Sequence, residues 1–101
     1  MSSPSIRKEP VSLGEALKVV RLHVGAGRHV PEHSSNTDVV VTVVRGQGRF
    51  TVEGVTRELA PGEVVVMPPK ALHAIDAVSD LELVVVHARL AHTGEPASCG
   101  A

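Results

Sequence analysis

Residues 38–67, DVVVTVVRGQGRFTVEGVTRELAPGEVVVM, decide the fold. Four short runs rich in β-branched residues alternate there with turn signals. Residues 39–45 are nearly all β-branched, and such side chains suit a pleated sheet better than a helix. Gly46-Gln47-Gly48 turns the chain into residues 49–52, and Glu53-Gly54 makes a tight hairpin into Val55–Leu59. Ala60-Pro61-Gly62-Glu63 is the next turn; Val64–Met67 follows, and Pro68-Pro69-Lys70 breaks that strand.

Outward from this block the same grammar continues. Residues 16–24 read as a strand closed by Ala26-Gly27. Residues 72–78 and 81–89 are two more, separated by Ser79-Asp80. About seven or eight short strands with Gly/Pro turns predict an all-β antiparallel sandwich or barrel. Residues 1–12 are polar, contain two prolines and read as a flexible lead-in. Residues 13–17 offer a short helix start that Gly14 weakens. The barrel domain is expected over 13–91, with a flexible tail at 92–101 that carries the lone Cys99 as an incidental thiol.

Length and composition bound the function. A chain of 101 residues is one domain with one core. Its net charge is −1 and it has no basic run, so nucleic-acid binding is not expected. No apolar run approaches the roughly 20 residues that span a bilayer. The N-terminal stretch lacks the apolar segment of a signal peptide, so the expected compartment is the cytoplasm. Phe50 is the one aromatic residue, so Val, Leu, Ile and Ala must fill the core and base stacking has no platform. Residues 39–44 are apolar on both faces, whereas a strand of a lone barrel should have one wet face. A homodimer burying the outer face is the expected solution; the alternative is that residues 1–15 fold back over it.

Six histidines are the most promising chemistry. His29 and His33 lie in GRHVPEHSS, and an extended chain puts positions 29, 31 and 33 on one face. Glu32 should then point away. Asp38 follows His33 after the spacer SSNT, and His73 lies in PGEVVVMPPKALHAIDA. Neutral imidazole binds Zn, Fe, Ni, Cu and Mn, and a mixed His/carboxylate set with open positions suits a catalytic ion. His87, central in the last strand, reads as a structural histidine with a barrel-facing alternative; His23 and His92 read as surface and tail.

The stretches HVPEHSSNTDVVVTVVRGQGRF and LAPGEVVVMPPKALHAI resemble the two motifs of the cupins. Gly62, Pro68 and His73 match the second motif, and His33, Asp38 and Gly46 match the back half of the first. The resemblance covers roughly residues 20–90 and implies a small double-stranded β-helix of the jelly-roll type, dimeric, with a pocket between its sheets. It also implies a mononuclear divalent transition metal (Fe, Mn, Ni, Cu or Zn) on His33, His73 and either His29 or Asp38. Pro31 stands where the family's first histidine falls, and Asp38 where its glutamate falls. The activity so implied is a metal-dependent oxygenase or isomerase acting on a small molecule. The alternatives are a metal-free module that binds or senses a small ligand, and a dimeric scaffold whose pocket has lost its use.

Overall fold

A computed structural model describes residues 6–14 and 16–88, except the side chain of Leu13. The tail at 92–101 and Cys99, Arg89 and His92 lie outside the described residues. Nine strands are present among those described: β1 (Ile6–Leu13), β2 (Leu17–Val24), β3 (His29–His33), β4 (Asp38–Arg45), β5 (Gly48–Val52), β6 (Val55–Leu59), β7 (Val64–Met67), β8 (His73–Ala77) and β9 (Leu81–Ala88). They form two sheets, ordered β1-β2-β9-β4-β7 and β3-β8-β5-β6, and every ladder is antiparallel. This is the antiparallel two-sheet architecture that the strand pattern predicts, and the jelly roll that the resemblance implies.

Period-two alternation locates the core. Val39, Val41 and Val43 of β4, Val65 and Met67 of β7, and Leu81 and Leu83 of β9 face inward and are buried. Across the gap, Phe50 of β5 and Ile75 and Ala77 of β8 complete the apolar cluster. Burial of these aliphatic side chains, each worth about 1.5–3 kcal/mol for the larger ones, is the main force holding the sheets together.

Two backbone positions make the turns. Glu53 (φ 49°) and Gly54 (φ 83°) both lie in the left-handed region, as a two-residue hairpin of the favoured hand requires. Gly46 (φ 90°) sits where a Cβ would lie 2.0 Å from the backbone oxygen of Asp80. That close approach lets the β4–β5 turn pack on the start of β9.

The N-terminal stretch departs from expectation. Residues 6–12 of the stretch read as a flexible lead-in, together with Leu13, form β1, paired with β2 along the edge of the larger sheet. The reason is on its outer face: Glu9 lies within ion-pair reach of Arg7, Arg21 and His23. The short helix start at 13–17 does not form; Gly14 donates its N–H to the Leu17 oxygen (2.8 Å) in a turn between β1 and β2. Because β1 extends the sheet edge, it does not cover the outer valine face. There Val19, Val86, Val40 and Val66 lie in one row across β2, β9, β4 and β7, and Val66 is 66% exposed.

The two turn glycines should respond differently to alanine. At Gly54 nothing lies within 4 Å of a new Cβ, so Gly54→Ala should cost only the left-handed strain, about 1–2 kcal/mol. Gly46→Ala adds a backbone clash and should cost more. Thermal unfolding of both variants checks the order; equal losses would show that the Gly46 contact is not limiting.

Candidate functional site

The site lies between the sheets, where the inner faces turn polar. A cavity of about 520 Å³ opens there. Its walls come from β1, β2, β3, β4, β8 and β9, and it is lined by His33, His73 and His87 among aliphatic side chains such as Val20, Val41, Ile75 and Val85.

His33 enters the cavity through an irregularity in β3. The ladder to β8 pairs His29 with Asp76 and Val30 with Ile75, but His33 with His73. Unbroken pairing would set Glu32, not His33, opposite His73, so β3 carries one extra residue. A bulge of one residue turns every later side chain to the other face. His33 therefore joins the parity of Val30 and lies beside His73: the ring centroids are 4.2 Å apart and the planes meet at 65°. Pro31 and Glu32 also border the cavity, both as exposed residues at its rim.

Both rings are fixed in one tautomer. His33 Nδ1 lies 2.8 Å from the Pro31 carbonyl oxygen, and His73 Nδ1 lies 2.9 Å from that of Ala71. A carbonyl only accepts, so each Nδ1 carries the hydrogen and each Nε2 keeps its lone pair. That is the form in which imidazole ligates a metal or accepts a hydrogen bond, with the carbonyl fixing ring orientation. His73 is buried, and burial pushes its pKa below 6.5; the neighbouring His33 pushes the same way and the Ala71 carbonyl opposes.

His87 is the third imidazole. In β9 the positions 81, 83, 85 and 87 share the inner parity of buried Leu81 and Leu83. Its Nδ1 is 3.2 Å from Thr37 Oγ1, which is 2.8 Å from Ser35 Oγ, so the β3–β4 loop holds the ring. Burial lowers its pKa, and Lys18, Lys8, His73 and His33 add to the effect.

The other two candidate ligands are elsewhere. His29 does not line the cavity: its Nδ1 is 2.6 Å from Asp76 Oδ1, both side chains being about half exposed on the outer face of the smaller sheet. It precedes the bulge, so it keeps the opposite parity from His33. Asp38 also faces outward, because buried Val39, Val41 and Val43 fix the inner parity of β4. The inward residue at that end of β4 is Val39, paired with His87. The structure thus brings His33 and His73 together, leaves His29 and Asp38 outside, and adds His87. Among the described residues no three His, Cys, Asp or Glu side chains converge on one metal-sized point. No helix among them is long and apolar enough to cross a membrane.

Comparison with known proteins agrees with this architecture. Residues 18–88 match the family described as "Cupin domain", and the chain belongs to that family. Among solved structures it is similar to a conserved protein of unknown function from Streptococcus pyogenes (TM-score 0.80, 24% identity, covering 86% of this chain and 76% of that one). It is also similar to an RmlC-like cupin from Desulfovibrio desulfuricans (TM-score 0.76, 29% identity, 83% and 82% covered). Salicylate 1,2-dioxygenase from Pseudoaminobacter salicylatoxidans, in adducts with gentisate, shares the fold at 17% identity (TM-score 0.80), with 87% of this chain matching 26% of that one. No curated protein matches the chain.

The depressed pKa values of His73 and His87 set a pH dependence. Each folded-state value lies below the unfolded 6.5, so below pH 6.5 the unfolded chain takes up protons that the folded chain refuses. Stability must then fall as pH drops through 6.5 toward the folded values. The melting temperature of chelator-treated protein should decline over that window, and His73→Gln should flatten the decline. An equally steep decline in that variant would assign the effect to other groups.

Proposed function

We propose that this cupin binds a small, mostly apolar molecule in the cavity between its sheets, and that a divalent transition metal on His33 and His73 marks the polar end of that cavity. The observation that supports this reading is the His33–His73 pair, two imidazoles in contact with both Nδ1 hydrogens donated to backbone carbonyls. Two neutral nitrogen donors beside an open cavity fit Zn, Fe, Ni, Cu or Mn with positions left for a ligand. His87 is the nearest candidate for a third protein donor, since Val39 lines the cavity where a carboxylate would otherwise complete the set. Such an ion, when bound, polarises an oxygen atom of the ligand.

The chain's own groups supply the rest. The aliphatic walls exclude water and bury the ligand's carbon skeleton. Glu32 and His87 are the lining groups outside the pair that can exchange a proton with a bound molecule. The oxygenase or isomerase assignment is one use of this arrangement. A metal-free binding or sensing module is the second reading, favoured by the absence of a converged three-donor set among the described residues.

Metal content separates the two. Untagged, dialysed protein should retain close to one equivalent of transition metal. His33→Ala and His73→Ala should each abolish retention, while His29→Ala should not. Metal-free native protein whose melting temperature ignores added Ni(II) or Zn(II) would leave the binding module standing.

The outer valine row, half-buried at Val40 and exposed at Val66, is in keeping with a homodimer in which a second copy covers both. Sedimentation at micromolar concentration should then give twice the 10.6 kDa of one chain, and Val66→Glu should return the single-chain mass. A wild-type mass of one chain removes the dimer.

A further inference from the structure

We infer that the cavity selects small organic acids, with the carboxylate of the ligand met by the Lys8 ammonium and its carbon skeleton laid on the aliphatic wall. This rests on the reading of the cavity as a ligand site and does not require the metal.

The register of β1 carries the inference. Arg7 and Glu9 pair with His23 and Arg21 of β2, and all four take part in the ion-pair cluster on the outer face. The alternate residues, Ile6 and Lys8, share the parity of the inner face and line the cavity at its open edge, where both are exposed. Lys8 sits opposite the buried Leu22. A second lysine, Lys18, pairs with His87 and shares the inner parity of Leu22 and Val24. Arg7, Arg21, Arg45 and Arg49 all meet carboxylates on the outside. Neither inner-face lysine forms an ion pair among the described residues. Their field reaches the cavity, since both push His87 toward its neutral form.

The ligand class follows from this combination. Among the described residues Glu32 is the one carboxylate lining the cavity, and Lys8 is its one lysine. A cationic ligand is repelled, and a neutral one gains nothing from the ammonium. An inorganic anion gains nothing from Val20, Val41, Ile75 and Val85. A compact acid with an apolar body uses both ends, and about 520 Å³ is ample for one of six carbons.

The test is a calorimetric titration of the chelator-treated full chain with hexanoate, hexanamide and inorganic phosphate. Hexanoate should bind about tenfold or more tightly than hexanamide, as expected for a charge-assisted contact, and phosphate should not compete with it. Lys8→Gln should lower hexanoate affinity to the hexanamide level while leaving hexanamide unchanged, which also shows that the cavity is still folded. Equal binding of acid and amide overturns the inference and leaves the ligand cavity standing. So does unchanged hexanoate affinity in Lys8→Gln, or phosphate binding as tightly as hexanoate. If no probe binds, the inference and the cavity reading fall together. The absence of retained metal touches neither result, because the titration is metal-free.

Discussion

One extra residue in β3 is the constraint on which the site depends. Strand parity is a binary choice: a side chain points into the sandwich or out of it. Before the bulge, Val30 is inside and His29 outside. After it, His33 is inside and opposite His73. Removing the bulge would turn His33 to the outer face and set Glu32 beside His73 instead. The hydrogen bond from His33 Nδ1 to the Pro31 carbonyl, two residues back, ties the ring to the bulged backbone itself. Proline suits this place, because it has no N–H for the ladder to use and is tolerated at bulges and edges.

The fold was legible because its signals are local and repeated. Glu53-Gly54, Pro61-Gly62 and Pro68-Pro69 each stop a strand for a backbone reason, and the β-branched runs between them have few alternatives. Val55–Leu59 and Val64–Met67 could be bounded to the residue for that reason. β1 was not legible. Ile6–Leu13 has little apolar character of its own, and the salt-bridge cluster that marks its outer face involves Arg21 and His23, which are distant in sequence. Pairing with a neighbour, not propensity, makes it a strand.

The site was half legible. His33 and His73 stood in recognisable patterns, but simple alternation from His29 to His33 assumes an unbroken ladder, and a bulge leaves no clear trace in one sequence. Asp38 was misplaced by a single position: counting from the spacer after His33 reaches Asp38, whereas the buried run Val39, Val41, Val43 shows that Val39 is the inward residue. The same parity argument, run from Leu81 and Leu83 along β9, would have found His87. It was obscured because Val84, Val85 and Val86 are apolar on both faces, hiding the alternation that the outer valine row interrupts.

These placements make the cavity directional. The inner face of the larger sheet runs in rows across β2, β9 and β4: Leu22, Leu83 and Val43 in one, Val20, Val85 and Val41 in the next, then Lys18, His87 and Val39. The first row is apolar core that reaches the cavity at Leu22, the second is its aliphatic wall, and the last is polar, facing the His33–His73 pair of the other sheet. The side chains of the core rows are hydrocarbon, so the core end offers a ligand no side-chain hydrogen bond. A polar atom of a bound molecule must therefore lie toward the histidines or toward the exposed edge at Lys8, with its carbon skeleton against the valines, because any other orientation would strand a desolvated polar group among hydrocarbon. Orientation is fixed by this gradient before any single contact is made, and that is what lets a few histidines and one lysine act on a molecule otherwise held by shape.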